Sequence, residues 1–95
     1  MQYTETKKVA INIKPYGGFV VSKELLDFLW DLGIDWEDLD RDDPLFIRVI
    51  EYFNFLRIPI GDPDVCEIVI EEIPNVPFRI DINYQDFSEE IVLCN

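Results

Sequence analysis

The sequence contains no histidine, only two cysteines and a single methionine in 95 residues. Without histidine, the Ser–His and Cys–His arrangements of nucleophilic catalysis and all histidine-based metal sites are excluded. Positive charge is also scarce, since 8 lysines and arginines stand against 20 aspartates and glutamates and give a formal net charge of −12. Because binding to phosphates requires a positive surface, we expect no direct binding to nucleic acid.

Long apolar runs are missing as well. No stretch approaches the roughly 20 apolar residues that a membrane-spanning helix needs, and the N-terminal residues do not resemble a secretory signal peptide. We therefore expect a cytoplasmic protein that does not bind membranes. In that reducing compartment Cys66 and Cys94 are expected to stay free and to serve as small apolar side chains.

The apolar content is nevertheless sufficient for one core. Apolar residues make up 48% of the chain and aromatic residues 14%, which is typical of a folded domain and not of a disordered acidic tail. We expect residues 1–95 to form a single domain. The charge is uneven, because residues 1–23 hold four lysines and one glutamate, whereas residues 24–95 hold four arginines and 19 acidic residues.

Residue periodicity predicts the element order β-α-α-β-β-β. Apolar residues that alternate or run on continuously indicate strands at 7–14, 66–73, 78–84 and 90–94. Apolar spacings of three and four indicate helices at 23–32 and from 44 to about 56. The expected fold is a small single α+β domain, in which a mixed or antiparallel four-stranded sheet carries both helices on one face. The nearly continuous apolar run of the second strand predicts a central position in that sheet.

Capping residues mark the boundaries of both helices. Ser22 can cap the first helix, and Gly33 suits the left-handed position that ends it. Asp43 followed by Pro44 is a typical start for the second helix. The residues expected to face the core are Leu25, Leu26, Phe28, Leu29 and Leu32 in the first helix and Leu45, Phe46, Val49, Ile50, Phe53 and Leu56 in the second.

The densest charge lies between the helices. Residues 35–43 contain six carboxylates and one arginine, and such crowding causes repulsion that folding alone would not favour. Carboxylates about 5–6 Å apart on a helix or turn can imitate phosphates, which lie one per about 1.7 Å of duplex axis. The simpler interpretation is a solvated acidic connector. The predicted partner-binding site consists of Trp30, Asp35, Trp36, Glu37, Asp38, Asp40, Asp42 and Asp43.

Three aromatic residues lie off the main apolar stripes of the helices. Trp30 lies beside the stripe of the first helix, and Tyr52 and Phe55 lie off the stripe of the second. Exposed together, they would form a contact surface for a partner or the interface of a homo-oligomer. The alternative is that Trp30 and Trp36 belong to the core, where large aromatic side chains are mostly found.

Neither a metal site nor a cofactor site is expected. Asp38, Asp40 and Asp42 match the first half of a calcium-binding loop, but Asp43 stands where the loop requires glycine and Val49 where it requires glutamate. The sequence carries no nucleotide- or cofactor-binding fingerprint. We therefore expect no cofactor and no enzymatic activity.

One turn is compatible with an anionic ligand. Tyr16, Gly17 and Gly18 precede the capped start of the first helix, where glycine N–H groups and the helix N-terminus can bind an anion. Lys14 and Lys23 flank this turn in the basic part of the chain. These five residues are the alternative, anion-binding site. The simpler interpretation is an ordinary strand-to-helix turn.

Four short segments, at 14–24, 41–45, 68–75 and 82–89, carry a family resemblance. In order along the chain, a Tyr-Gly-Gly-Phe turn, an Arg-Asp-Asp-Pro helix start, an Ile-Glu-Glu-Ile-Pro strand and a Tyr-Gln-Asp-Phe turn resemble a family of short uncharacterised proteins of tailed bacteriophages. The chain departs from that family at 52–55, where the family has small residues and glycine, and at Phe87, where it has glycine. The resemblance implies a phage origin and an α+β fold, and it carries no catalytic residues.

The expected function is therefore that of a small non-enzymatic accessory protein, similar to those of phages. Such a protein would bind a basic surface of a host defence protein through its acidic, nucleic-acid-like surface and inhibit it. A first alternative is an oligomeric sponge that sequesters an anionic nucleotide used as an immune signal. A second alternative is a structural or assembly component of a phage particle.

Overall fold

A computed structural model of the protein describes residues 5–94 and contains two helices and four strands. In chain order these are β1 (Thr6–Asn12), α1 (Lys23–Asp31), α2 (Pro44–Phe55), β2 (Ile68–Pro74), β3 (Phe78–Ile82) and β4 (Glu89–Leu93), with a short 3₁₀ helix at Trp36–Asp38. The predicted element order and the α+β class are confirmed. Within the described residues, neither helix has the length and apolar character needed to cross a lipid bilayer.

Both helices begin where the sequence predicts. Ser22 Oγ accepts a hydrogen bond from Leu25 N at 3.1 Å and donates one to the carbonyl oxygen of Pro59 at 2.6 Å. Asp43 Oδ1 accepts from Leu45 N at 2.8 Å. Each capping side chain therefore satisfies an N–H group that the helix itself cannot.

Both helices end in the left-handed backbone region. Gly33 follows α1 with a φ of +76°, as expected for a terminating glycine. Arg57 follows α2 with a φ of +60°, because the sequence offers no glycine at that point. This backbone conformation is uncommon for a residue other than glycine, and the side chain of Arg57 is exposed.

The four strands form two separate antiparallel sheets. β1 pairs with β2, from Thr6 opposite Pro74 to Asn12 opposite Ile68, and β3 pairs with β4. The expected single four-stranded sheet is not formed, and among the described residues β2 is an edge strand and not a central one. Pro74 and Pro77 flank the link between β2 and β3, and neither has an N–H group to donate to a hairpin ladder.

β1 is buried on both faces and joins two apolar clusters. Ala10 packs on the helix side together with Ile68, whereas Val9 and Ile11 pack against the β3–β4 hairpin. The fold therefore has three layers, which are the helices, the β1–β2 sheet and the β3–β4 hairpin. Ala10 and Asn12 are completely buried, although simple alternation along a half-exposed strand would leave them in solvent.

Fewer residues of α1 are buried than predicted, and a different arc of α2 faces the core. The buried helix residues are Leu25, Leu29, Phe46, Ile47, Val49, Ile50 and Phe53. The expectation of a core position is wrong for five residues, each at least 37% exposed: Leu26, Phe28, Leu32, Leu45 and Leu56. Two helices, each about 10 Å wide, cannot both lie flat on two strands about 5 Å apart, so their outer apolar residues stay in solvent.

Arg41 and Glu89 join the layers through a largely buried ion pair. Arg41 Nη1 and Nη2 donate to the two carboxylate oxygens of Glu89 at 2.7 and 2.9 Å, and the Glu89 side chain is only 8% exposed. The same carboxylate accepts from Asn12 N at 2.8 Å. Arg41 also exchanges hydrogen bonds with the backbone of Ala10, and its guanidinium lies 3.5 Å from the Phe19 ring centroid. The outer edge of β1 is therefore closed by the backbone of Arg41 and the side chain of Glu89.

The Asn12 side chain fixes the end of the β1–β2 ladder. Its Oδ1 accepts from Glu67 N at 2.9 Å and from Lys14 N at 3.0 Å, and its Nδ2 donates to the Lys14 carbonyl at 3.3 Å. A completely buried amide is tolerated here because both of its ends are hydrogen-bonded.

The turn after β1 lies directly against the loop before β2. Gly18 N donates to the carbonyl oxygen of Val65 at 3.2 Å. A Cβ at Gly17 would lie 1.6 Å from that same oxygen, whereas a Cβ at Gly18 would have no neighbour within 4 Å. The close approach of the two segments therefore requires glycine at position 17 only.

Replacing Arg41 by methionine should lower the free energy of unfolding by about 3 kcal/mol, because the buried Glu89 carboxylate would lose its counter-charge. Arg48→Met is the matched control, since Arg48 is exposed and forms no ion pair in the described part of the chain. It should change stability by less than about 0.5 kcal/mol. Urea unfolding followed by tryptophan fluorescence measures both, and equal stabilities would contradict the central role of the ion pair.

Gly17→Ala should destabilise the protein by about 2 kcal/mol, because the added methyl group would overlap the Val65 carbonyl and force the two loops apart. Gly18→Ala adds the same methyl group in open space and should cost less than about 0.5 kcal/mol. Thermal unfolding of the two variants side by side measures the difference. A Gly17→Ala protein as stable as Gly18→Ala would show that the two segments are not in contact.

Candidate partner-binding surface

The acidic segment 35–43 is partly used by the fold itself. Asp35 caps the 3₁₀ helix by accepting a hydrogen bond from Glu37 N at 3.0 Å, and Asp43 caps α2. Asp42 Oδ2 lies 3.6 Å from Lys7 Nζ in an ion pair between the segment and β1. These three predicted site residues therefore have structural roles, whatever else they bind.

Trp36, Leu39 and Arg41 project inward from the same segment. The half-buried Trp36 ring lies 5.9 Å from the Phe19 ring, and Leu39 packs against the helix-side core. Trp36 therefore belongs to the packing, as the simpler interpretation of the sequence has it. Trp30 is 69% exposed, so it is the tryptophan that a partner could reach.

Glu37, Asp38 and Asp40 are the predicted site residues that face solvent without any such role. All three side chains are exposed, and within residues 5–94 none of them forms an ion pair. They follow the last residue of α1 by six to nine positions, and the outer face of α1 carries negative charge of its own.

That outer face carries three carboxylates that the sequence prediction omits. Glu24, Asp27 and Asp31 occupy positions i, i+3 and i+7 of α1, so they lie along one side of the helix, and all three are exposed. Their spacing of three and four is visible in the sequence and is the signal by which they could have been found.

We use the name acidic surface for the exposed carboxylates of residues 24–40. These are Glu24, Asp27, Asp31, Asp35, Glu37, Asp38 and Asp40. Asp31 and Asp35 are four positions apart, so their Cα atoms lie at most about 14 Å from each other. No lysine or arginine of the described chain forms an ion pair with any of these carboxylates. Trp30 is exposed on α1 beside them.

The acidic surface opposes the stability of α1. Asp27 and Asp31 are four residues apart, where like charges destabilise a helix by about 0.2–0.5 kcal/mol. Asp31 is the last residue of α1, where a negative charge faces the negative end of the helix dipole, and the last turn contains no basic residue to offset it. The stability of α1 therefore gives no reason for the charges of Asp27 and Asp31, whereas Glu24 lies in the first turn, where a negative charge is favourable.

The three aromatic residues of the predicted patch are all exposed, by 69% for Trp30, 53% for Tyr52 and 83% for Phe55. α1 meets α2 through Phe28 and Phe53, whose ring centroids lie 5.3 Å apart. Trp30 follows Phe28 by two residues, which rotates it by about 200° around the helix axis and turns it away from α2. Helix geometry thus separates Trp30 from the two aromatic residues of α2.

The glycine turn of the alternative site is engaged by the neighbouring loop. Gly18 N already donates to the Val65 carbonyl, and Lys14 Nζ donates to the Pro63 carbonyl at 2.8 Å. Tyr16 is 78% exposed and has a φ of +61°. An anion bound at this turn would have to compete with hydrogen bonds that the fold already makes.

A surface depression of about 420 Å³ lies beside Lys14, and its lining includes Glu67 and Cys66. Lys14 and Glu67 carry opposite charges, and burial raises the pKa of the Cys66 thiol, which stays neutral. Lys23 does not line the depression. Among residues 5–94, no group of three or more cysteine, aspartate and glutamate side chains converges to hold a metal ion. The alternative anion-binding site stays a prediction from the sequence.

No known protein family, curated protein or solved structure matches the chain. The resemblance to short phage proteins therefore stays a prediction from sequence motifs. What the protein does has to be inferred from the acidic surface and its surroundings.

Proposed function

We propose that the protein is a small non-enzymatic accessory protein, similar to those of phages, that binds a basic surface of a host defence protein and inhibits it. The acidic surface supplies the charge, and Trp30 supplies an apolar anchor. The observation that carries the proposal is the pair Asp27 and Asp31 of α1, which repel each other and form no ion pair in the described chain, with Asp31 at the negative end of the helix dipole. Charge retained at a cost to folding is typical of residues kept for binding.

The spacing of the carboxylates suits a site that normally faces nucleic acid. Residues three and four apart on a helix lie about 5–6 Å from each other, and several such charges in a row present a basic groove with a line of anions. Glu24, Asp27 and Asp31 make such a line on α1. The exposed carboxylates of the 3₁₀ helix, Glu37 and Asp38, add further negative charge a few residues along the chain.

Trp30 is placed to anchor the complex. Aromatic residues that become fully desolvated at the centre of an interface carry a large share of its binding energy, while surrounding charges contribute mostly to specificity and association rate. Trp30 is 69% exposed in the free protein and lies next to Asp31 in sequence, so it has surface left to bury. The formal charge of −12 would accelerate encounter with a basic partner.

Two other functions remain as alternatives from the sequence. An oligomeric sponge for an anionic nucleotide would use Lys14, Tyr16, Gly17, Gly18 and Lys23. A structural component of a phage particle would use none of these residues and would be found in purified particles. The sponge is not favoured, because the glycine turn is already hydrogen-bonded to the neighbouring loop. No observation favours a structural component of a particle.

Asp27→Asn combined with Asp31→Asn should raise the free energy of unfolding by about 0.5 kcal/mol, because it removes a like-charge pair and an unfavourable charge at the helix end. The same variant should bind the partner at least about tenfold more weakly. Asp64→Asn combined with Glu90→Gln is the matched control, since it removes two exposed charges outside the acidic surface. It should leave binding within about twofold of the original.

Binding is measured by capture on the immobilised protein from a nuclease-treated bacterial lysate, followed by identification of the retained protein. The purified partner is then tested at about 0.1 M and about 1 M salt, over which the Debye length falls from about 10 Å to about 3 Å. We expect release at high salt and competition by duplex DNA. Salt-independent retention, or equal binding by the variant and the control, would contradict the proposal.

Calorimetry with a panel of cyclic nucleotides distinguishes the nucleotide sponge from the proposed inhibitor. A sponge must bind its ligand without any protein partner, whereas the proposed inhibitor should give no heat with any nucleotide. Tight binding of a nucleotide would overturn the proposal and would make the glycine turn the candidate binding site.

A further inference from the structure

The hydrogen-bond register of β2 leaves one of its edges open. Ile13 N donates to the carbonyl of Glu67, and Asn75 N donates to the carbonyl of Glu5. These two bonds fix the phase of the ladder, so that odd-numbered residues of β2 bond to β1 and even-numbered residues point away. Within residues 5–94, no backbone partner faces the outward N–H and C=O groups of Ile68, Ile70 and Glu72.

The two edges of the β1–β2 sheet differ in this respect. The outer edge of β1 is closed by the backbone of Arg41 and the side chain of Glu89. Along the outer edge of β2, the row of backbone N–H groups is interrupted only at Pro74, which has no N–H group. An unpaired run of alternating donors and acceptors is a template onto which another strand can add.

A groove borders this open edge on the helix side. It has a volume of about 680 Å³ and lies between β2 and α2, with Ile68 and Ile70 on one wall and Asn54, Phe55 and the Lys8-paired Glu51 on the other. Phe55 is 83% exposed in the free protein. Side chains of an added strand that point toward the helices would lie against Ile68, Ile70 and Phe55, so apolar side chains fit there.

The charge along the same edge is negative. Glu67 and Glu71 are exposed on the opposite face of the strand from the groove, and Glu72 is exposed next to Glu71. The cation opposite Glu72 in the ladder is Lys8, which is held by Glu51 at 2.8 Å, and this hydrogen bond raises the pKa of Lys8. Side chains of an added strand that lie on the face opposite the groove, beside Glu67 and Glu71, are therefore favoured if they are basic.

From these observations we infer that the outer edge of β2 is a docking site for an extended segment of a partner protein, in which lysine or arginine alternates with apolar residues. The segment adds to the β1–β2 sheet as a third strand. This inference is independent of the acidic surface, because it rests on the backbone register, the groove and the carboxylates of β2.

A second copy of the chain is a poorer occupant. Two copies repel each other, since each has a formal charge of −12. Antiparallel pairing of β2 with itself about Ile70 would set Glu71 opposite Val69 of the second copy and would give Glu71 no counter-charge. The negative edge thus disfavours self-pairing and selects a basic strand.

The test uses the full-length protein labelled with ¹⁵N and an eight-residue synthetic peptide in which lysine alternates with valine. On addition of the peptide, we expect amide hydrogen exchange at Ile68, Ile70 and Glu72 to slow by at least about tenfold. The amides of Val69, Glu71 and Ile73 already bond to β1 and should change little. A peptide with glutamate in place of lysine, and a lysine peptide N-methylated at alternate residues, are the matched controls and should not bind.

Substitutions at two neighbouring positions separate charge from edge pairing. Glu71→Gln removes a charge on the face opposite the groove, where the lysines of the peptide lie, and should weaken the peptide about threefold. Glu72→Pro removes an outward N–H group and should weaken the peptide about fivefold, whereas its control Glu72→Gln, on the groove face, should change binding by less than about twofold. Asp27→Asn combined with Asp31→Asn should leave peptide binding unchanged.

The outcomes distinguish this inference from the proposed function. Peptide binding that is lost with Asp27→Asn and Asp31→Asn but leaves the β2 amides unprotected would overturn the inference and would support the acidic surface. Equal binding of the N-methylated peptide, equal binding of the glutamate peptide, or dimerisation of the protein through protected β2 amides would also overturn it. If Glu72→Pro does not fold, the N-methylated peptide still decides between edge pairing and charge alone.

Discussion

The fold depends on the closure of one strand edge by one ion pair. β1 lies between the helices and the β3–β4 hairpin, and its outer edge has no strand beside it among the described residues. Arg41 and Glu89 meet at that edge, one from the connector between the helices and one from β4. The carboxylate is nearly buried, so it is stable there only because it receives a bidentate guanidinium and the N–H group of Asn12. Three layers are thereby joined at one point.

The inward direction of Arg41 also determines what the acidic segment presents to solvent. Arg41 is the only basic residue in segment 35–43, and the fold uses it to neutralise Glu89. Of the carboxylates around it, only Asp42 has an ion-pair partner in the described chain, which is Lys7. The way the sheet edge is closed therefore leaves the charges of Glu37, Asp38 and Asp40 in place, and an unpaired arginine in the segment would have weakened them.

Local signals in the sequence predicted local structure well. Ser22, Asp43 and Gly33 set helix boundaries through contacts within a few residues, and both helix starts were correct. The sheet was predicted less well, because strand pairing depends on residues far apart in sequence and on which prolines interrupt the ladder. The site shows the same division. The carboxylates were readable from the sequence, whereas the inward positions of Trp36 and Arg41 depend on Phe19 and Glu89, which lie in other layers.

The high negative charge and the open edge of β2 are physically connected. An exposed edge strand with isoleucine and valine is a hazard for aggregation unless charge or proline protects it. β2 has both kinds of protection, since Glu71 and Glu72 lie in the strand and Pro74 lies at its end. The net negative charge also makes copies of the molecule repel each other. Under that protection an apolar edge can stay unpaired in solution without self-association. A neutral protein of the same fold would have to cover the edge, whereas this one can leave it available to a strand of opposite charge.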